Sequence, residues 1–416
     1  MKILVLGGTG RIGLAIVYDL LKNSIVETIG VSGSTSASLK KIDRRFNNNR
    51  IALHKLDVSD KKALVALMKG YDVGISALPN RRLSYLALEA AIESGLNMVD
   101  ILEEYHRHPD RFETEGIPLP EGLNVDEYGA SLHRKAKEAG ILFIDGMGFA
   151  PGLSNLTTAM GIRMLDTAQS AIARVGGIPS KAASKNHPLK YMVTWSFEHV
   201  LREYNVKVNI KNDGAVEEVD AMTGLENFTF DKYGKNEHLE CFITPGMPSF
   251  IYTHPELFYF TEKTIRWPGH WQGIQTLKEC GLLDVTPVDF QGTSLSPRKF
   301  MLHSLEPRMK ANPGETDVCV MYNSIEGIKD DHHQLIEFHM WDEEDTKNGI
   351  TSMARVTGFS AAIAAFMLGE GVFDAKGIRA PEEVFSPLTY NYFMSELEKR
   401  NITVRMHKSI IGELMV

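Results

Sequence analysis

A chain of 416 residues is too long for one ordinary hydrophobic core, so two domains are expected. Its 43% apolar and 24% charged residues suit a globular protein, and a net charge of -8 speaks against a nucleic acid or an anionic membrane as partner. Three cysteines without metal-ligand spacing, no secretory leader pattern and no run near ~18 apolar residues set the remaining expectations: cytoplasmic, no metal, no membrane.

Residues 2–6, KILVL, form a run too uniformly apolar for a strand facing water, and therefore a buried parallel strand. Gly8-x-Gly10-x-x-Gly13 follows at once, with Arg11 and Ile12 inside it, and residues 14–22 have helical periodicity. Between a strand and a helix, this pattern points to a nucleotide site. Gly8 permits the tight turn, Gly10 admits a pyrophosphate, and Gly13 lets helix approach strand.

The second strand is expected over 26–31. An NAD site places an acidic residue near its end, but here Ser32, Gly33, Ser34 and Thr35 stand there, followed by Lys40, Lys41, Arg44 and Arg45. Hydroxyls and cations without a carboxylate favour NADP over NAD; the same cations could be only the solvated face of a helix. A third strand over 50–56 leads to Asp57, either an adenine neighbour or a loop cap. A fourth over 71–78 leads into Ser76-Ala77-Leu78-Pro79, where a doubly wound sheet opens toward its cofactor. After a helix over 82–94 and a strand over 97–100, residues 102–124 form a long polar segment with three prolines. That length argues for a lid, an added interaction surface or disordered decoration. A helix over 126–139 and a strand over 141–145 complete the βα repetition.

Residues 145–155, DGMGFAPGLSN, read equally as a domain-boundary turn or an active-site loop. Beyond them, alternation at 207–210, 239–243, 318–322 and 335–341 predicts a mostly antiparallel sheet, with Gly176-Gly-Ile-Pro179 as a strand-end turn. In 263–270, KTIRWPGH, Arg266 could grip a carboxylate in a bidentate fork or make a surface salt bridge. His332, His333 and His339 lack a metal-like pattern. Residues 351–368 form an apolar helix with many small residues, expected to pack on the nucleotide domain, and 377–384 closes the excursion. The fold class is therefore α/β, a Rossmann-type doubly wound parallel sheet interrupted by an α+β domain. The expected boundaries are 1–155, 156–349, 350–390 for the return to the first domain, and a tail over 391–416.

These marks resemble the saccharopine dehydrogenase family, nearest its short members of the lysine 6-dehydrogenase type. They are the Gly7-Gly8-x-Gly10-x-x-Gly13 turn, Ser76-Ala-Leu-Pro79, Val99-Asp100, Gly146-x-Gly148-x-Ala150-Pro151-Gly152-x-x-Asn155, Val175-Gly-Gly-Ile-Pro179, Lys263-Thr-Ile-Arg266-x-x-Gly-His270 and Ala354-Arg355-x-Thr357. The resemblance implies a homodimer that moves hydride between a nicotinamide and a carbon bearing nitrogen in an amino-acid substrate. It places Ala77, Leu78 and Pro79 beside the nicotinamide. It turns Asp100, Gly148, Phe149, Pro151, Gly152, Asn155, Arg266 and His270 toward the substrate, with Asp100 and His270 as catalytic candidates. His270 has the titration range for proton transfer. The missing acid after the second strand and the long 102–124 segment depart from the lysine 6-dehydrogenase pattern. Three readings stand: an NADP-linked oxidoreductase at a secondary amine or imine, an NAD-dependent lysine deaminase, and a non-catalytic nucleotide-binding scaffold.

Overall fold

The computed structural model describes residues 1–111 and 117–411, so residues 112–116 of the expected lid and 412–416 of the expected tail lie outside the described residues. The chain alternates β1 (Lys2–Leu6), α1 (Arg11–Lys22), β2 (Thr28–Gly33), α2 (Ser36–Phe46), β3 (Ile51–Lys55), α3 (Lys61–Met68), β4 (Val73–Ser76), α4 (Arg81–Ser94), β5 (Asn97–Asp100), α5 (Val125–Glu138) and β6 (Leu142–Ile144). Helix α6 (Leu153–Arg163) then leads into β7 (Thr167–Pro179), α7 (Lys181–Ser184), α8 (Phe197–Glu203), β8 (Lys207–Asn212), β9 (Ala215–Asp220), β10 (Glu226–Phe230) and β11 (Glu237–Ile243). There follow α9 (Phe250–Thr253), β12 (Tyr259–Arg266), α10 (His270–Glu279), β13 (Val288–Phe290), β14 (Thr293–Leu295), α11 (Pro297–Leu305), β15 (Asp317–Lys329) and β16 (His332–Glu343). The chain ends with α12 (Ser352–Gly369), β17 (Gly377–Arg379), α13 (Pro381–Val384), α14 (Pro387–Lys399) and β18 (Arg405–Ile410).

Two compact units result, and neither is a continuous stretch. One holds Met1–Ala159, Met247–Thr253 and Ala354–Ile402; the other holds Met160–Gly246, His254–Met353 and Thr403–Val416. The expected tail is divided between them: α14 belongs to the first unit, and β18 pairs with β16 in the second.

The first unit carries a seven-stranded sheet in the order β17-β6-β5-β4-β1-β2-β3, parallel at every pairing. The chain starts at β1 in the middle and runs outward in both directions, so the sheet reverses between β1 and β4 and opens a crevice at its carboxyl edge. Leu4, Leu6, Met98 and Phe143 from the strands pack with Leu64, Leu88 and Tyr128 from the helices, each large apolar side chain contributing ~1.5–3 kcal/mol on burial. Helix α12 is long and apolar enough to cross a membrane, with a mean hydropathy of 1.3, yet 89% of it is buried inside the fold. Its Gly358 accounts for the close approach to α1, because a Cβ there would lie 3.1 Å from both the Cβ of Ala15 and the carbonyl oxygen of Ile12.

The second unit is built on a sheet in the order β10-β11-β12-β7-β15-β16-β18, with β8 and β9 joined to it through β12. The β12–β7 pair is parallel and the others are antiparallel. Gly176 and Gly177 lie inside β7 rather than in a turn at its end. A Cβ on Gly176 would meet the carbonyl oxygen of Ile265 at 2.4 Å, and one on Gly177 the Cε of Met353 at 2.2 Å. Glycine there answers to close approach within a strand.

Candidate functional site

In the first unit, the glycine turn joins β1 to α1 at the carboxyl edge of the sheet. Gly7 has φ +71°, and a Cβ on it would lie 2.4 Å from the Ala77 carbonyl oxygen, which brings the β4–α4 loop against the turn. A Cβ on Gly13 would lie 2.3 Å from the Gly7 oxygen, so α1 can start this close to β1 only with glycine. Gly10 is exposed, and a Cβ on it would meet only the Gly7 oxygen at 3.3 Å. Gly10 caps α1 without a side-chain hydrogen bond, which leaves the positive end of the helix free to receive a phosphate. Arg11 is exposed beside it and Ile12 is half-buried. At the end of β4, the Ser76 hydroxyl is buried without a hydrogen-bond partner. The cradle and this hydroxyl fit a dinucleotide that runs across the turn toward Ala77, Leu78 and Pro79.

Strand β2 runs two residues beyond its expected end because Ser32 and Gly33 pair in register with His54 and Lys55 of β3. Ser32 is consequently buried, and its Oγ accepts a hydrogen bond from Gly7 N at 3.3 Å; it braces the turn. Ser34 and Thr35 are exposed, Thr35 capping α2 by accepting from Ser38 N at 3.2 Å. Lys40, Lys41, Arg44 and Arg45 are exposed on α2. Gly33 closes the strand, and a Cβ on it would lie 2.6 Å from Thr9 Cγ2. Asp57 is exposed, and its Oδ1 accepts from Ser59 N and Oγ, which holds its carboxyl below the usual range.

Asp100 is not turned outward. Its Oδ1 accepts from Leu102 N at 2.6 Å and its Oδ2 from the Ser84 hydroxyl at 2.6 Å, and the residue is buried. Of the segment after it, expected as a lid, an added interaction surface or disordered decoration, Leu102, Glu104, Tyr105, His106 and Pro109 are buried, whereas Arg111 and residues 119–122 are exposed. Glu104 is fully buried and takes a fork from Arg81, Nε to Oε2 at 2.6 Å and Nη2 to Oε1 at 2.8 Å, while Tyr85 OH donates to Oε1 at 2.9 Å. Burial pushes Glu104 up, but the Arg81 guanidinium outweighs it and holds the carboxyl below its ordinary value. His106, also fully buried, joins Ser84 to Asp145.

The loop after Asp145 is buried and tied to itself. Gly148 N donates to the Pro151 oxygen, Gly152 N to Asn155 Oδ1 at 3.0 Å, and a Cβ on Gly152 would lie 2.2 Å from the Gly148 oxygen. Phe149 and Pro151 are buried with it. The Asn155 amide donates to Ser249 Oγ at 3.2 Å and Glu382 Oε2 at 3.0 Å, so Asn155 pins the loop through both ends of its side chain.

In the second unit, Arg266 ends β12 and His270 begins α10. Both are buried, which removes the surface salt bridge as an account of Arg266. Arg266 Nε donates to Tyr204 OH at 2.9 Å and Nη1 to the Ile265 oxygen at 2.8 Å. Its guanidinium lies 5.4 Å from the ring centre of Tyr191 and 5.9 Å from that of Tyr204. His270 is held between the Leu189 oxygen, 2.9 Å from Nδ1, and Tyr204 OH, 3.1 Å from Nε2. Burial, reinforced by the Arg266 charge, pushes its pKa down to about 3. That corrects the expectation of a histidine titrating near neutrality, since the environment keeps this imidazole neutral.

Arg81, Ser84, Glu104, His106 and Asp145 were not legible as a group. A polar segment with prolines reads as surface, and the one available signal was two ionisable residues, Glu104 and His106, spaced closely behind a strand that ends in Asp100.

A doubly wound sheet with an uncapped glycine turn at its reversal, in a chain with a second unit on a mixed sheet, defines a Rossmann-type nucleotide-binding architecture. Residues 3–144 match the saccharopine dehydrogenase NADP binding domain and residues 148–402 the saccharopine dehydrogenase C-terminal domain. The chain belongs to the saccharopine dehydrogenase family and carries that family's NADP-binding domain. It is 24% identical to the mitochondrial alpha-aminoadipic semialdehyde synthase of Bos taurus over 93% of this chain, and spans 46% of that longer protein. It is 21% identical to the carboxyaminopropylagmatine dehydrogenase of Synechocystis sp., over 91% of each chain. The saccharopine dehydrogenase (L-Glu forming) of Saccharomyces cerevisiae shares the fold, with a TM-score of 0.76 and 20% identity over 98% of this chain and 99% of that one.

Proposed function

We propose that this protein is an NADP-linked oxidoreductase that transfers hydride at a C–N bond of an amino-acid-derived secondary amine or imine. The observation that carries the cofactor choice is the end of β2, where Gly33 leaves no carboxylate to repel a 2′-phosphate and Thr9 occupies the space a side chain would need. Family membership and amino-acid-related relatives support the reaction class.

Gly8, Gly10 and Gly13 would hold the pyrophosphate, and Ala77, Leu78 and Pro79 would border the nicotinamide, which supplies or accepts the hydride. Arg266, preoriented by Tyr204 and flanked by Tyr191, would bind a substrate carboxylate. His270 would serve this site as a neutral hydrogen-bonding partner of Tyr204 rather than as an acid. A protonated imine needs no acid from the protein to accept hydride, which is consistent with a neutral His270 and an inward Asp100. We also propose a homodimer, on the family resemblance, which light scattering would test.

The functional experiment is a fluorescence titration with NADPH and separately with NADH, followed by a panel of amino acids and aldehydes read at the nicotinamide absorbance. Tighter NADPH binding and turnover on an amine-forming pair are expected. Preference for NADH with ammonia release from lysine would replace this reading with the deaminase, and binding without turnover on any pair would replace it with the scaffold.

A further inference from the structure

Four side chains of the first unit form one unbroken hydrogen-bonded array away from solvent: Asp100, Ser84, His106 and Asp145, none more than 2% exposed. The protons can be counted. Ser84 has one hydroxyl proton and donates it to Asp100 Oδ2 at 2.6 Å. The 2.9 Å contact between Ser84 Oγ and His106 Nε2 must then take its proton from the ring. On the other side of the ring, Nδ1 lies 2.8 Å from Asp145 Oδ1, which requires one more proton between them. The imidazole thus holds both protons or shares the second with Asp145, and the pair carries no net charge either way. The backbone N of His106 donates to the second oxygen, Asp145 Oδ2, at 2.6 Å, so the carboxylate is gripped by ring and main chain together. Tyr85, with ring centres 4.3 Å apart, and Phe143 at 5.6 Å enclose the ring. Burial alone would lower His106, but Asp145, with Asp100 and Glu104 behind it, outweighs burial and raises it.

The array ends on the loop that follows β6. Asp100 receives Met147 N on its carbonyl oxygen at 2.7 Å, and Asp145 immediately precedes Gly146, whose φ is +74°. Both anchors at the amino end of the 146–155 loop are therefore residues of this array, while Asn155 holds its other end. We propose that His106 is a positioning residue, a doubly hydrogen-bonded clasp that fixes Asp145 and thereby the shape of the 146–155 loop for the reaction. The proposal deepens the functional reading above and rests on it for the reaction concerned.

The test uses the full chain and three readouts. In protein labelled with ¹⁵N-histidine, the His106 signals, assigned by their absence from H106N, are expected to show protons on both ring nitrogens or one shared with Asp145; an unprotonated Nε2 would overturn the proton count. Hydrogen exchange over 146–155 is expected to accelerate at least ~10-fold in H106A. H106N, whose amide nitrogen stands near the place of Nδ1, is expected to restore most of the protection. In turnover, H106A is expected to lose kcat at least ~10-fold with KM and NADPH binding within ~3-fold, and H106N to recover part of it. Should H106A fail to fold, S84A reads the Nε2 side of the clasp by the same exchange and turnover measurements. Unchanged exchange and kcat in a folded H106A would overturn the clasp. Failure of the wild-type protein to bind NADPH would overturn the functional reading, while the labelling and exchange results would still decide the clasp itself.

Discussion

At the scale of single residues, side chains predicted to face a ligand are in several cases those the fold uses to hold itself. Ser32 braces the glycine turn, Asp100 is consumed by Ser84 and Leu102, and Asn155 pins its own loop. The glycines were legible because a turn against a helix leaves no room for a Cβ, which is a local property. Burial of Glu104 and His106 was not, because it depends on Arg81 and Asp145, distant in sequence. Two substitutions probe this scale. Gly33→Asp is expected to weaken NADPH binding at least ~10-fold in a fluorescence titration, by charge repulsion and by collision of the new Cβ with Thr9. Arg81→Met leaves Glu104 buried without its counter-charge, an expected loss of ~3–5 kcal/mol near neutral pH. In the native protein the lowered Glu104 stabilises above the ordinary carboxylate range, and that contribution is lost as pH falls through its folded value. In the variant the sign reverses: protonation relieves the unpaired carboxylate, so the gap in melting temperature from wild type should narrow between pH 7 and pH 5. A constant gap would mean that Arg81 acts through packing alone.

At the scale of elements, periodicity located most strands and helices but not their ends. β2 exceeds its expectation because β3 continues to pair with it, and β7 runs straight through two glycines because neighbouring atoms crowd them. Strand β17 is three residues long and was invisible to any pattern; its pairing with β6 is what draws the returning chain into the parallel sheet. The last helix of the first unit is fastened similarly at long range. Just beyond α14, Arg400 reaches α1 and grips Asp19 in a fork, Nε to Oδ1 at 2.7 Å and Nη2 to Oδ2 at 2.9 Å. Asp19 is raised by burial despite that partner. Arg400→Met is expected to cost ~3 kcal/mol by stranding the carboxylate, seen as a lower melting temperature. Adding Asp19→Asn should restore a large part of it. A double variant no better than the single would locate the cost in the lost contact with Glu396, whose Oε2 lies 2.8 Å from Arg400 Nη1.

At the scale of the whole molecule, the two sheets and the inserted order were readable because parallel and alternating strands differ in pattern. The short return at 247–253 and the division of the last residues between the units were not, since neither carries a composition change. Truncation after Ile402 tests the assignment of β18. It would strip a strand paired from Gln334↔Ile410 to His339↔Arg405 and leave the β16 edge open. The shortened protein is expected to bind NADPH as before, through the first unit, but to self-associate on light scattering, as open sheet edges do. Loss of NADPH binding instead would mean that β18 supports the nucleotide unit.

The chain passes from one unit to the other five times, after residues 159, 246, 253, 353 and 402. A protease that nicks any one of these crossings leaves two fragments that still share a folded unit. A cut after 159 leaves β6 paired with β17 and a cut after 402 leaves β18 paired with β16, so packing inside that unit holds the fragments together. Limited digestion would yield fragments that separate on a denaturing gel yet elute as one particle in native buffer, and no single scission would release a free nucleotide-binding domain.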